Sequence, residues 1–345
     1  MEWSDDSASL LAEVAKAARL AEGPEGVRHI LRSVFRGEPI PLRDIARDVS
    51  LPVPVVAAVR GELQSRKLLD RGAGVVLTEA GREFVLNGLG LKNRHRYRPL
   101  ELDELPEVVQ DLLGPMQHFC EGRPRVDVTL DQSHATAQTA LRRALYLLEI
   151  DALEGRDLLI VGDDDLASLA VALVVDRLDL AVRSLAVVEW DVRLVDYLSE
   201  ALAAFPLQVD VRHHDLREPL PLDMQRGFDS FLTDPPYTIE GLSLFVSRGV
   251  SAMRPGTCRP AVVCFGQRAP DDAAEGMRRL TGMGLAPVEI IPGYNHYVGA
   301  QVLAGRSQLI RLMTTNQTSP EISERYTGKL YTADMRTAPR NRGRR

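Results

Sequence analysis

Cysteine is scarce in this chain of 345 residues: there are three, Cys120, Cys258 and Cys264, with no paired spacing. That excludes a disulfide-stapled scaffold, makes a reducing cytoplasm the simplest home, and puts Cys264, inside an apolar run, in a core. No stretch of the sequence reaches the length of a membrane span, and the opening Met1-Glu2-Trp3-Ser4-Asp5-Asp6 is acidic rather than signal-like. Positive charge is in deficit, 42 Lys and Arg against 48 Asp and Glu, for a formal net charge of −6. This balance argues against a dedicated nucleic-acid binder and suits a cationic substrate. Internal repeats and low-complexity tracts are absent. Apolar residues make up 45% of the chain, ample for a core, and the length suits two domains.

Two motifs stand out. Asp229-Ser230-Phe231-Leu232-Thr233 reads as a short buried strand that delivers Asp234 to the carboxyl edge of a sheet, where open α/β folds bind ligands. Pro235 and Pro236 cannot extend the strand and fix the backbone just past it. A carboxylate beside the Pro235 carbonyl offers acceptors and no donor, so the pair can take hydrogen bonds from an amine and aim its lone pair. Tyr237 is placed to wall an aliphatic substrate or stack on a base.

Upstream, Arg156-Asp157-Leu158-Leu159-Ile160-Val161 is a strand, Gly162 permits a tight turn, and residues 166–175 continue as an apolar helix. A dinucleotide site would keep anions out of this turn, because pyrophosphate needs the helix N-terminus. Asp163, Asp164 and Asp165 therefore point to a cationic ligand, with one of them, Asp165, expected to cap the helix. The strand Ser184–Glu189 ends in an acid about twenty-five residues on, near where nucleotide folds place a ribose-binding carboxylate. After a third strand at 208–212, Asp215 is placed to accept from an adenine amino group. His213 and His214 point to opposite faces and lack partners at zinc spacing, so no metal is expected. Strands at 260–265, 286–291 and 307–313 complete seven, with Tyr294, Asn295, His296 and Tyr297 in the loop joining the last two. Asp131 and Gln132, ahead of a helix through Thr136, Thr139 and Arg142, either look over the donor site or, for Asp131, cap the helix.

Before the sheet, helices at 24–34, 41–50 and 55–66, a hairpin at 68–78 and a helix at 79–86 add up to a winged-helix-like domain over residues 1–90. Acids among Arg60, Arg66, Lys67 and Arg71 favour a packing or dimerisation module over a DNA reader. A linker spans 91–125, whose basic run Lys92-Asn93-Arg94-His95-Arg96-Tyr97-Arg98 is expected to be solvated. The catalytic domain occupies 126–333 and a basic flexible tail 334–345.

Gly162-Asp163-Asp164-Asp165-Leu166-Ala167-Ser168, Val188-Glu189-Trp190-Asp191, Asp234-Pro235-Pro236, the Asp131-Gln132 segment and Asn295-His296-Tyr297-Val298-Gly299-Ala300 together resemble the branched-chain polyamine synthases, the N4-bis(aminopropyl)spermidine synthases. The resemblance spans nearly the whole chain. It implies a Rossmann-like, seven-stranded methyltransferase-type sheet behind the winged-helix-like domain, and transfer of 3-aminopropyl groups from decarboxylated S-adenosylmethionine to a secondary amine of a linear polyamine such as spermidine. Methylthioadenosine would be released. Carried over, Asp163 and Asp164 would hold the polyamine or the aminopropyl ammonium, Asp234 the attacking nitrogen, and Glu189 and Asp215 the nucleoside. Gly162, Asp165 and Gln132 would complete the donor site; Asp131, Tyr237, Pro235 and Tyr297 would face the acceptor. A homodimer free of nucleic acid and membrane is expected.

One position departs from that pattern. An acidic residue commonly follows Asp-Pro-Pro in this family, and Tyr237 stands there, as in amino-methyltransferases. The alternatives are a 3-amino-3-carboxypropyl transferase using ordinary S-adenosylmethionine, with Arg142 or Arg143 for the donor carboxylate, or a base amino-methyltransferase. A polyamine-sensing regulator is the non-enzymatic alternative.

Overall fold

The computed structural model describes residues 5–97, 105–266, 269–298 and 305–336. The chain begins with α1 (Asp5–Ala17), absent from the sequence expectation, then α2 (Gly23–Gly37), α3 (Leu42–Asp48) and α4 (Val53–Ser65). A small antiparallel hairpin, β1 (Leu69–Arg71) and β2 (Val75–Leu77), precedes α5 (Glu79–Glu83), which Thr78 caps and a π-turn at Phe84–Gly88 extends. Pro24 and Pro54 stand in the first turns of α2 and α4, where a missing N–H costs nothing.

The expected linker is more structured than its composition suggested. Asn93 and Tyr97 are buried, Glu154 accepts from the Lys92 and Asn93 amides, and Arg94 and Arg96 pair with Glu38 and Asp48. The run is thus a docked strap rather than a solvated segment. α6 (Glu107–Gln110) and α7 (Leu113–Gly122) follow, and Val109 and Met116 join the larger core. These helices are too short for a clear 3.6-residue period, which is why they escape a sequence reading. Arg98, Gly299, Ala300 and the tail from 337 on lie outside the described residues.

A 3₁₀ turn (Val128–Leu130) leads to α8 (Ala137–Glu149), capped by Thr136, and then to the main sheet. In chain order come β3 (Asp157–Val161), α9 (Ala167–Leu178), β4 (Ser184–Glu189), α10 (Val192–Leu202), β5 (Val209–His213), β6 (Ser230–Thr233), α11 (Ile239–Ala252), β7 (Pro260–Phe265), α12 (Pro270–Gly282), β8 (Leu285–His296), β9 (Arg306–Thr314) and α13 (Thr332–Arg336). Strand order is β5-β4-β3-β6-β7-β9-β8; the first five are mutually parallel and β9 runs antiparallel to both its neighbours. Fully buried strands such as Leu158–Val161 need apolar side chains on both faces, and one core lies under α8 and α9, the other under α11. This is an α/β fold with a mostly parallel seven-stranded sheet. The order reverses between β3 and β6, so the crevice beyond their carboxyl ends is where such sheets bind ligands.

β8 is longer than expected. It runs through a bulge between Ile291 and Asn295 to His296, so Tyr294, Asn295 and His296 are strand residues and only Tyr297 lies past its end. Asn295 is fully buried, and a buried polar side chain hides the apolar pattern of a strand.

The N-terminal helices are tied to the catalytic core by a buried ionic cluster. Arg28 donates to Asp151 at 2.8 Å and to the Glu154 carbonyl at 2.7 Å. Arg156 bridges Asp151 at 2.8 Å and Glu25 at 2.6 Å, and Arg259 joins Glu25 to Asp229. Burial alone would raise the Asp151 carboxyl, but Arg28, Arg156 and Arg32 hold it well below the usual carboxylate range. A depressed folded-state pKa stabilises the fold above the unfolded value, and that stability is lost as pH falls through the folded one. Asp151→Asn strands three guanidiniums, so urea denaturation at neutral pH should show a loss of about 3–5 kcal/mol, and the variant's stability should fall less steeply on acidification.

Candidate active site

The crevice at the sheet's reversal is a pocket lined by Asp131, Gln132, Ser133, Gly162, Asp164, Glu189, Trp190, Asp234, Pro235, Tyr237 and Tyr331, among others. Four of its side chains are carboxylates, and among the described residues no lysine or arginine lines it. Eight residues singled out from sequence meet here: Asp131, Gln132, Gly162, Asp164, Glu189, Asp234, Pro235 and Tyr237.

The three aspartates of the turn diverge. Asp163 is buried and accepts from the Ala167 amide at 2.6 Å and the Ser168 amide at 3.2 Å, so it, not Asp165, caps α9. Gly162 (φ +74°) and Leu166 (φ +58°) are both left-handed, which turns the chain sharply enough for Asp163 to reach back over the helix start. Asp165 points the other way, accepting from the Ala135 amide at 2.5 Å and from Arg143. Only Asp164 enters the pocket, held by the Ser133 amide at 3.1 Å. Burial and the surrounding charges of Asp165, Asp234 and Glu189 raise its pKa well above the usual range.

Asp234, at the end of β6, is fixed from behind. Arg143 Nη2 donates to its Oδ2 at 2.6 Å, and Tyr297 donates its hydroxyl to the same oxygen at 2.6 Å. Arg143 also donates to Asp165 at 2.6 Å and to Asn295 Oδ1 at 2.8 Å, and its side chain is only 1% exposed. Tyr297 therefore stands behind Asp234 rather than in the pocket wall, a correction to its expected place at the acceptor. Burial raises the Asp234 carboxyl, outweighing the pull of Arg143, whereas Asp165, also penalised by burial, is held low by the same guanidinium. Arg143 is thus committed, and the sequence reading that offered it to a donor carboxylate is corrected. Arg142, one residue earlier, lines a separate cavity.

Glu189, at the end of β4, accepts from the amides of Asp163 at 2.8 Å, Trp190 at 2.7 Å and Asp191 at 2.8 Å. Three donors lock a carboxylate that still has lone pairs toward the pocket. Trp190, missed as a site residue, lines the pocket and stacks on His213, ring centroids 5.3 Å apart, which gives that histidine a packing role. Asp215 accepts from the Arg217 amide and sits beside the pocket residue Leu216, without lining the pocket itself. Gln132 bridges the Asp127 amide and Asp191. Asp131 does not cap α8, which Thr136 does; it accepts from Thr332 N at 2.8 Å and Oγ1 at 2.9 Å, tying the C-terminal segment, with Tyr331, to the rim. Among the described residues no group of His, Cys, Asp and Glu is arranged to hold a metal ion, and no helix is long and apolar enough to cross a membrane.

An acid-lined crevice at the switch point of a mostly parallel sheet is electrostatically suited to positively charged groups. The family model for the branched-chain polyamine synthase A C-terminal domain matches residues 111–337. An uncharacterised protein of Methanocaldococcus jannaschii is 38% identical over 331 residues, 94% of this chain and 81% of that protein. The N(4)-bis(aminopropyl)spermidine synthase of the same organism is 30% identical over 255 residues, 72% of this chain and 71% of that enzyme. The branched-chain polyamine synthase from Thermus thermophilus, solved with N4-aminopropylspermidine and 5'-methylthioadenosine, superposes with a TM-score of 0.59 at 25% identity, covering 95% of this chain and 98% of that one. The chain belongs to the branched-chain polyamine synthase family and is an enzyme, a transferase.

Removing the clamp should expose its role. Arg143→Met leaves Asp165 and Asp234 facing each other in a buried site, which at neutral pH should cost about 3–5 kcal/mol. Both carboxyls then have raised folded-state pKa values, so their contribution to stability is greatest below the unfolded value and is lost as pH rises. Denaturation of the variant across pH should show its deficit shrinking toward acid; a pH-independent deficit would deny the electrostatic role.

Proposed function

We propose that the chain transfers 3-aminopropyl groups from decarboxylated S-adenosylmethionine to a secondary amine of a linear polyamine such as spermidine, releasing methylthioadenosine. The observation that carries this reading is the pocket with four carboxylates and, among the described residues, no lysine or arginine, since both donor and acceptor are cations. The amine lone pair attacks the propyl carbon next to the sulfonium, the C–S bond breaks toward sulfur, and the nitrogen sheds a proton. Glu189, with Trp190 beside it, holds the nucleoside; Asp164 faces the aminopropyl ammonium; Asp234 and the Pro235 carbonyl orient the acceptor nitrogen. The two contacts behind Asp234 both fall on Oδ2, and burial makes this carboxyl a better proton acceptor than an ordinary one. Asp163 and Asp165 act at one remove, by capping α9 and by anchoring Arg143.

The 3-amino-3-carboxypropyl alternative needs a cation for the donor carboxylate, and neither Arg142 nor Arg143 lines the pocket. A carboxylate about 5 Å from Asp164 at an effective dielectric near 20 costs on the order of 3 kcal/mol. That corresponds to roughly a hundredfold preference for the decarboxylated donor. The greater likeness to a second protein of M. jannaschii than to that organism's named synthase, together with Tyr237, leaves room for an acceptor other than spermidine. The N-terminal unit is proposed as a winged-helix-like packing module of a cytoplasmic homodimer that does not bind nucleic acid: Arg28 and Arg32 are spent on the catalytic core and Arg66 on Glu62.

Purified protein given both donors and a panel of polyamines should form methylthioadenosine and aminopropylated amine from the decarboxylated donor. Asp234→Asn should keep the fold and methylthioadenosine binding while turnover falls about a hundredfold or more. Preferential turnover of ordinary S-adenosylmethionine would transfer the assignment to the aminocarboxypropyl reaction if methylthioadenosine remains, or to methyl transfer if S-adenosylhomocysteine does.

Charge coupling offers a separate check. Asp164 is raised by burial and by neighbouring anions, so it holds a proton more readily in the ligand-free pocket, and an arriving ammonium favours its ionised form. Binding of the decarboxylated donor should therefore release protons and tighten as pH rises toward that pKa. Calorimetry in buffers of different ionisation enthalpy reads the release directly, and Asp164→Asn should reduce it.

A further inference from the structure

A second cavity opens on the other side of α8, with electrostatics opposite to the first. It is open to solvent and lined by Thr136, Gln138, Thr139, Arg142, Pro292, Gly293, His296 and Arg306, with no carboxylate among them. In a chain of net charge −6 such a concentration of unopposed cations calls for a ligand. Three features converge on it. The first is the N-terminus of the 13-residue α8, whose peptide dipoles favour an anion. The second is Arg142, 6% exposed, whose Nε is buried without a hydrogen-bond partner and whose guanidinium lies 4.4 Å from the Tyr294 ring centroid. An arginine held by stacking on a ring, with its donors uncommitted, is arranged to receive something. The third is Arg306, exposed, directly across the β8–β9 pairing from His296.

The frame around these groups is rigid. His296 N donates to Thr139 Oγ1 at 3.0 Å, the Thr136 amide donates to the His296 carbonyl at 2.9 Å, and Tyr294 donates its hydroxyl to the Arg142 carbonyl at 2.8 Å. Strand end and helix start are thus stitched together, so the cations need little reordering to bind. We infer that this cavity is an oxyanion site that takes the phosphate group of a small phosphorylated molecule through Arg142, Arg306 and the first turn of α8. Phosphate matches the planar guanidinium fork and the helix amides together, and the opening to solvent leaves room for the rest of a small ester. The site is independent of the acid-lined pocket, and its test does not depend on the reaction catalysed there.

Inorganic phosphate, a phosphomonoester without a nucleoside such as glycerol 3-phosphate, and a short RNA oligonucleotide can each be titrated against the full chain by thermal shift and calorimetry, with sodium chloride at matched ionic strength as control. Expected is a saturable rise in Tm of a few degrees with phosphate and with the monoester. Arg306→Gln, at an exposed position, should weaken that binding by about tenfold, while Arg306→Lys should retain most of it. Arg142→Gln should weaken it further where the variant folds; the Arg306 pair decides the matter where it does not. An equal response of wild type and Arg306→Gln, a response matched by sodium chloride, or binding of the oligonucleotide alone would overturn the assignment.

Discussion

The Arg143 guanidinium is the interaction on which the catalytic end of the sheet depends. It sits in the core at 1% exposure and satisfies Asp165 from the β3 turn, Asp234 from β6, and Asn295 in β8, with Tyr297 just beyond. One positive charge shared by two carboxylates cannot neutralise both. The result is a division of labour: Asp165 stays ionised, and Asp234, paired to the same cation, is the carboxyl whose pKa is raised, by burial and by the charge of Asp165 beside it. A buried ion pair is seldom a net source of stability against an apolar substitute. What this one provides is position, because Asp234 cannot swing away from the crevice while two donors hold its Oδ2 from behind.

The pocket and its surroundings form concentric shells of charge. Innermost are the pocket's carboxylates; behind them stand Arg143 and backbone amides, which restrain those carboxylates without placing a positive charge in the pocket wall. Glu189 shows the economy of using amides: three N–H groups orient it, and none of them carries a formal charge that would repel a polyamine. Farther out, the cluster of Arg28, Asp151, Arg156, Glu25 and Arg259 joins the N-terminal helices to the foot of the sheet, at the amino ends of its strands. Architecture at one edge and chemistry at the other are kept apart by the length of the strands.

Much of this was legible in the sequence. Buried parallel strands read as apolar runs, Gly162 announced its turn, and Asp-Pro-Pro placed Asp234 at a strand end, because each signal is local. The roles within Asp163-Asp164-Asp165 were not legible, since Leu166 is left-handed and shifts the helix start by one residue; capping passed to Asp163. Arg143 escaped because its partners lie 22, 91 and 152 positions away, and a helix gives no hint of which face a distant strand will meet. The long β8 was cut short at Ile291 since a bulge and the buried Asn295 break the alternation that marks a strand. Short helices in residues 106–122 carry too few turns to display a period.

Adjacent arginines on α8 make the same point at closer range. Arg142 and Arg143 are consecutive, and successive helical side chains diverge by about 100°, so one helix sends a cation to each side of the β8 end. Arg143 finds carboxylates and is silenced; Arg142 finds the Tyr294 ring and stays unopposed. Sequence alone presents them as interchangeable, and either could have been assigned to a substrate carboxylate. It is the packing of β8 against α8, through Thr139 and His296 on one side and Asn295 on the other, that separates a cation paired with carboxylates from a buried one without them. The packing of α8 against β8 therefore decides which side each arginine serves, and α8 would have to turn by about 100°, one residue's worth, to exchange them.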